Sequence, residues 1–579
     1  MIVDKILLRG VNLLIMSISS LIWNAADDEL RGLFKPHEYG SVILPFVVLR
    51  RLDCTLESNK DEIYNLYEKY KDDLDDPSPI IKDKIKLSYF NTSKYDLSRL
   101  KSDPQNIMVN FSNYINGYSD NVHDILENFD LTKHVAKLDK HNRLYKLIDK
   151  FTEVDLHPDK VSNHEMGSIY EELLRKFSEQ HNEESGDHFT PRDIVKLLVS
   201  LVFEGDKESL QGTGKIRSIY DPCCGTGGML TIGKEWIHEN INSKLKINLY
   251  GQELNDTTYA ICKSDFLITG EDPENIRGPK SSLSEDQFQG QKYDYMIVNP
   301  PFGVSWKSEK EFVLNENRDP NGRFFAGIPK VSDGSFLFLQ HLISKMEPKG
   351  SRIGIIFNGS PLFAGGAEQG ECNIRKWIIE NDLLETIIML PDRLFFNTGI
   401  TTYIWILDNN KSERRKGKIQ LINAKDYFKF IKIKLGEKNK EIIKNQRLDI
   451  LKMYLEFTDS DNSKVFDNDY FKYSKITIDQ YLQDNKGNYV SDKKGNLKID
   501  KKKRTYERVP FNQKIDEYLT KEVKPFIKDY IYDCNKNKVG YEISCTKEFY
   551  KFKNLRVLDE IDRDLSRLND EIRDLEKKI

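Results

Sequence analysis

Met296-Ile297-Val298-Asn299-Pro300-Pro301-Phe302-Gly303 reads as a buried strand running into a turn that two prolines hold rigid. The side-chain oxygen of Asn299 and the Pro300 carbonyl offer two acceptors to one exocyclic amino group, and Phe302 offers a face on which a base can stack. Upstream, Ile219-Tyr220-Asp221-Pro222-Cys223-Cys224-Gly225-Thr226-Gly227-Gly228-Met229-Leu230 reads as a strand ending in a carboxylate, a glycine-rich turn and a helix start. Such a turn bares backbone N–H groups to a ligand that comes close. About 25 residues further on, Leu249-Tyr250-Gly251-Gln252-Glu253 ends a second strand in a carboxylate, a group able to accept both hydroxyls of a ribose. Together these three stretches describe a site for a nucleoside-like ligand beside a site for a base.

Several competing chemistries are excluded. The turn lacks the G-x-G-x-x-G pattern and the lysine of a phosphate loop. Nearby Gly212-Thr213-Gly214-Lys215 fails as a phosphate loop because Ile216 and Ser209 stand where Ser/Thr and Gly are required. Cys223 and Cys224 lie inside the ligand loop, where small residues fit, and are not read as nucleophiles. His37, His164 and His188 show no metal-ligand spacing, so no metal site is expected.

These motifs need a scaffold. Apolar runs at Ile216 to Tyr220, Ile247 to Gly251, Tyr293 to Val298, Ile353 to Phe357, Thr386 to Leu390 and Tyr403 to Leu407 alternate with helical stretches. The alternation predicts a largely parallel sheet covered by helices on both faces. Before it, from about Ser17 to Lys160, spacings of three and four (Trp23, Ala26, Leu30, Leu33) predict an all-helical domain. Beyond residue 411, two turn signals, Asn485-Lys486-Gly487-Asn488 and Lys493-Lys494-Gly495-Asn496, mark a polar hairpin region. The end of the chain carries a heptad stripe, Leu558, Ile561, Leu565, Leu568, Ile572, Leu575 and Ile579. The expected organisation is an extension over 1–15 that is dispensable, with Met16 as an alternative start, a helical domain over 16–160 and an α/β catalytic domain over 161–410. A charged hairpin-containing extension over 411–510 and a helical docking tail over 511–579 follow.

At 579 residues the chain has room for about three or four folding units. It is 39% hydrophobic and 31% charged, a composition that builds cores and is far from the disordered class. Its 88 basic and 92 acidic residues nearly cancel, so any contact with nucleic acid must use local basic surface. Seven scattered cysteines without a C-x-x-C pair fit a reducing compartment and a cytoplasmic location. The apolar stretch Val11 to Trp23 is too short for a bilayer span of about 20 residues, and no membrane association is expected.

The motifs carry a resemblance. Asp221 to Gly227 and Asn299 to Phe302 are similar to the cofactor loop and catalytic turn of amino-group DNA methyltransferases that form N6-methyladenine. More closely, the chain resembles the methylase subunit of type I restriction-modification systems. The supporting stretches are Lys35-Pro36-His37-Glu38-Tyr39-Gly40, Val48-Leu49-Arg50-Arg51-Leu52-Asp53, Phe189-Thr190-Pro191-Arg192, Ser332-Asp333-Gly334, Phe357 to Phe363 and Leu390 to Ile400. The resemblance implies a Rossmann-like domain that binds S-adenosyl-L-methionine and transfers its methyl to a flipped adenine. Catalysis would rest on Asn299, Pro300, Pro301 and Phe302. Asp187, His188, Phe189, Thr190, Pro191, Arg192, Asp221, Gly225, Thr226, Gly227, Gly228 and Glu253 would bind the cofactor, and Phe395 or Phe396 would form a second stacking wall. Ser281-Ser282-Leu283 departs from the Asn-Thr-Leu common in the family and leaves the adenine-ring contact open. Implied partners are double-stranded DNA, a specificity subunit that reads the target, a restriction/translocase subunit and a second methylase copy. A self-sufficient methyltransferase and a non-catalytic assembly subunit are the alternatives; no stretch after the catalytic motifs reads as a target-recognition domain.

Overall fold

A computed structural model describes residues 17–24, 27–179, 190–485, 487–551 and 557–576. The whole of the expected extension over 1–15, together with Asp187, His188, Phe189 and Ile579, lies outside them.

The N-terminal part is helical, and its central helix α1 (Tyr39–Leu56) is buried on nearly every side. Its charged residues serve the fold. The Asp53 carboxylate, buried, accepts hydrogen bonds from the Leu97 amide (2.8 Å) and from the hydroxyls of Tyr114 (2.9 Å) and Tyr118 (3.2 Å). Arg51 donates to the carbonyls of Leu156 (2.6 Å) and Val161 (2.8 Å) and to Asn163 Oδ1 (2.8 Å). Such charge-assisted bonds compensate the desolvation of the guanidinium. They also tie the helical domain to the start of α2 (Asn163–Glu179), the helix that leads toward the site.

Next come α3 (Arg192–Glu204), β1 (Ile216–Asp221), α4 (Gly228–Asn240), β2 (Lys246–Gln252), α5 (Asp256–Thr269), β3 (Ile276–Arg277), β4 (Tyr295–Val298) and β5 (Arg352–Phe357). After α6 (Gly370–Glu380) follow β6 (Leu384–Met389), β7 (Tyr403–Asp408), β8 (Lys418–Asn423), β9 (Lys429–Leu435), β10 (Lys438–Glu441) and β11 (Ser463–Asp467). Among the described residues these build a nine-stranded sheet in the order β11-β8-β6-β7-β5-β4-β1-β2-β3, with β9 and β10 paired separately. All six expected strands are present. The sheet is mixed: β1, β2, β3, β4 and β5 run parallel, whereas β7 is antiparallel to both β5 and β6. β4, β5, β6 and β7 are buried on both faces, which explains their unbroken apolar runs. Helix α5 belongs to two cores: Cys262 and Phe266 pack into the sheet, while Ala260, Ile261, Leu267 and Ile268 pack among the N-terminal helices.

Two expected boundaries do not hold. β8 and β11 lie beyond residue 410 yet belong to the central sheet: β8 is buried between β6 and β11 although Lys418, Gln420 and Asn423 interrupt its apolar run, and β11 forms the edge. The segment after 511 is also not a helical tail throughout. β12 (Lys472–Gln480), β13 (Thr505–Pro510), β14 (Tyr530–Tyr532) and β15 (Lys538–Tyr541) form a small antiparallel sheet instead. Its core is Ile476, Ile478, Val509, Leu519 and Val523, and Arg375 of α6 donates to the Tyr541 carbonyl (2.9 Å). Residues from Ser544 onward form a separate unit, in which α7 (Leu558–Glu576) exposes its leucine and isoleucine stripe. Among the described residues no helix is long and apolar enough to cross a membrane.

Candidate active site

The site lies where β1, β2 and β4 end together, so that three residues distant in sequence face one cavity of about 930 Å³. Parallel strands bring Asp221, Glu253 and Asn299 to the same edge of the sheet, where the helix connections leave a crevice.

Asp221 is 2% exposed, and its Oδ1 accepts from the Cys223 amide (3.0 Å). Burial, with the neighbouring Glu253 charge adding to it, pushes its pKa up to about 8 against that hydrogen bond. Glu253 is 7% exposed; one oxygen accepts from the Gly225 amide (2.8 Å) and the other from the Asn255 amide (2.9 Å). Each oxygen keeps further acceptor capacity, directed by bonds that fix the carboxylate plane. Neither acid makes an ion pair among the described residues. Two buried carboxylates without a protein cation form a site suited to a positively charged ligand bearing hydroxyls.

Two of the three glycines of the turn, Gly227 and Gly228, do different work. Gly227 has φ +83°, and a Cβ there would stand 2.8 Å from Cys262 Sγ, so this residue turns the chain against α5 and does not face the ligand. Gly228 opens α4, and a Cβ on it would meet nothing within 4 Å because that direction is the cavity. Of the three glycines expected at the cofactor, Gly225 and Gly228 line the cavity and Gly227 does not. Burial drives the Cys223 thiol far above its ordinary pKa, and a sulfhydryl contact with Cys262 (3.9 Å) followed by burial does the same for Cys224, which leaves neither a thiolate.

Asn299 donates from Nδ2 to Thr190 Oγ1 (3.0 Å), while its buried Oδ1 has no partner among the described residues. An orphaned buried acceptor in a native site marks a place for a donor. Thr190, expected among cofactor contacts, thereby holds the Asn299 amide. Only the tertiary structure joins them, 109 positions apart. Pro301 and Arg192 also line the cavity, and burial lowers the Arg192 pKa. Pro191 caps α3.

Phe302 packs against the main core and meets Phe395 edge to face, with ring centroids 5.8 Å apart and planes at 78°. Two walls sandwiching a base stand parallel, about 7 Å apart at the usual contact distances of about 3.5 Å on each side. Phe395, 2% exposed, therefore buttresses Phe302 and is not the second wall in this geometry. Phe396 is half-buried beside it.

Gln252 emerges as a residue the motif reading missed. Fully buried, its amide donates to the carbonyls of Lys280 (3.0 Å) and Glu285 (2.9 Å) and accepts from the Gln287 amide (3.1 Å). It holds the segment from Lys280 to Glu285, whose Ser281 and Ser282 line the cavity. A buried amide one residue before an acidic strand end was the available signal.

The N-6 DNA Methylase family model matches residues 161–495, and the HsdM N-terminal domain model matches 18–151. The MjaIX type I restriction enzyme methylase subunit of Methanocaldococcus jannaschii is 29% identical over 76% of this chain and 78% of its own length. The HindI methylase subunit of Haemophilus influenzae is 32% identical over 45% of this chain and 54% of its own. Among solved structures, the type I restriction-modification system methyltransferase subunit from Streptococcus thermophilus aligns with TM-score 0.63 at 22% identity, over 79% of this chain and 97% of that one. That likeness shows a shared fold. With a family model covering more than half of its length and a site built from the strand ends that model spans, the chain belongs to the N-6 DNA methylase family.

Proposed function

We propose that this chain is the methylase subunit of a type I restriction-modification system, acting in the cytoplasm as an adenine-specific DNA methyltransferase. The observation that carries the reading is the free Oδ1 of Asn299, facing the cavity that Asp221 and Glu253 flank. S-adenosyl-L-methionine, when bound, supplies a sulfonium methyl open to attack by a nitrogen lone pair. Gly225 and Gly228 would face its methionine end, with Asp221 as counter-charge, and Glu253 would hold the ribose hydroxyls. Asp187 to Arg192 would complete the cofactor site.

Adenine N6 is a poor nucleophile because its lone pair is delocalised into the ring. Accepting its two N–H groups at Asn299 Oδ1 and the Pro300 carbonyl draws the amino group toward tetrahedral geometry and localises that pair. Thr190 fixes the amide so that the oxygen, and not the nitrogen, faces the base. Since a base inside a duplex cannot reach the cavity, the adenine flips out, at a cost of a few kcal/mol that stacking on Phe302 offsets.

Partners follow from the same reading. A specificity subunit reads the target, a second methylase copy and a restriction/translocase subunit complete the assembly, and the stripe of α7 is the proposed dock for the specificity subunit. Tritiated methyl incorporation into target DNA by the reconstituted complex tests the chemistry. Asn299→Ala abolishes incorporation with S-adenosylmethionine affinity nearly unchanged, and full activity in that variant would sink the mechanism.

A further inference from the structure

The lysine-rich segment between β12 and β13 has no role in the site. Its two turn signals are parts of an eight-residue repeat that begins at Asp484, Asp492 and Asp500. Each aspartate caps its own turn: the Asn488 amide donates to Asp484 Oδ1 (2.9 Å), the Asn496 amide to Asp492 Oδ1 (2.9 Å) and the Lys502 amide to Asp500 Oδ1 (3.0 Å). The three repeats close on one another. Val490 donates to the Leu482 carbonyl (2.9 Å), Lys498 to the Val490 carbonyl (2.9 Å) and Leu482 to the Lys498 carbonyl (2.7 Å). This cyclic bonding gives a knob whose acids are turned to backbone amides.

Its lysines point elsewhere. Lys493, Lys494, Lys498, Lys501, Lys502 and Lys503 are all exposed. The knob's ion pairs come from flanking arginines, Arg504 with Asp479 (2.6 Å) and Arg508 with Glu542, and none of the six lysines joins an ion pair among the described residues. From Phe471 to Phe511 there are eleven Lys and Arg against five Asp and Glu, in a chain whose net charge is −4. In the adjoining sheet Lys475 stands in register between Arg508 and Lys538, with its ammonium 4.3 Å from the Tyr506 ring, so three cations lie abreast. Arg508 and Lys538 are paired with Glu542 and Glu368 (3.4 Å), so Lys475 is the member of the row without an ion pair among the described residues.

We infer that this knob is a contact surface for the phosphate backbone of duplex DNA, independent of sequence. The inference rests on the proposed function, since a chain that is acidic overall must bring DNA to its cavity through local positive charge. Lysine suits the task because a flexible point charge meets a phosphate without demanding a fixed geometry.

The test uses the full-length chain in the reconstituted complex, with Lys493, Lys494, Lys498, Lys501, Lys502 and Lys503 replaced by Gln, and a second variant with the same six replaced by Arg. Equilibrium binding is measured over a range of salt on a duplex with the target and on one without it. If two or three phosphates are neutralised by the knob, the six-Gln variant binds both duplexes about ten- to a hundredfold more weakly at physiological salt. The slope of log affinity against log salt then falls by about 0.9 for each lost contact. The six-Arg variant keeps affinity and slope, and S-adenosylmethionine affinity is unchanged in both. Replacing Lys493 and Lys494 alone gives a smaller loss of the same kind, which guards against misfolding of the six-Gln variant. Unchanged DNA affinity and slope in a six-Gln complex that still methylates overturns the knob alone. Loss of a subunit with DNA affinity intact also overturns it, in favour of a protein interface. Failure of the unaltered complex to methylate DNA would overturn the function on which it rests.

Discussion

Thr190→Val separates two roles for one residue. Its hydroxyl oxygen accepts the Asn299 Nδ2 proton at 3.0 Å, and Val keeps the branched shape while removing the acceptor. A net hydrogen bond of this kind contributes about 0.5–1.5 kcal/mol. The amide also gains freedom to rotate by 180°, which would turn a donor toward the adenine amino group. Taking about 1–1.5 kcal/mol as the loss of transition-state positioning, at 1.36 kcal/mol per decade the rate falls about five- to thirteenfold. Single-turnover methylation at saturating cofactor and DNA measures that step, and equilibrium titration measures S-adenosylmethionine affinity separately. The expected result is a slower step with cofactor affinity unchanged, and recovery in Thr190→Ser, which restores the hydroxyl. A variant that methylates at the normal rate but binds cofactor weakly would refute the positioning argument and return Thr190 to the cofactor site.

The two adjacent glycines are expected to diverge. Gly227→Ala combines φ +83° with a contact at 2.8 Å to Cys262 Sγ and lowers stability by about 1–3 kcal/mol in thermal unfolding, whereas Gly228→Ala leaves stability intact and weakens cofactor binding. The buried Asp221 carboxyl, raised to about 8 from an ordinary 3.8, must lose its proton to face a cationic ligand. S-adenosylmethionine affinity therefore rises with pH toward about 8 and levels above it, with proton release on binding that calorimetry in two buffers detects; Asp221→Asn abolishes the dependence, and a flat profile in the unaltered protein would contradict it. The sign for stability is opposite: the folded pKa lies above the unfolded one, so this group favours the ligand-free fold below about pH 4 and that contribution is lost as pH rises toward 8.

Much of this protein was legible before its structure. The strands at 295, 353, 384 and 403 were readable because a strand buried on both faces must be apolar throughout, and the acidic strand ends and the Asn-Pro-Pro-Phe turn stood out by their polarity beside the apolar runs. β8 and β11 were not readable, since Lys418, Gln420 and Asn423 interrupt the apolar run of β8 and β11 is an edge strand of mixed sequence. The Thr190 bond to Asn299, the turning of Gly227 toward Cys262, the edge-on packing of Phe395 and the grip of Gln252 on the Lys280 and Glu285 carbonyls were decided by tertiary structure alone. Each depends on the direction of a side chain at a contact between segments far apart in the chain, and local composition and periodicity record which residues are buried but not which atoms they meet.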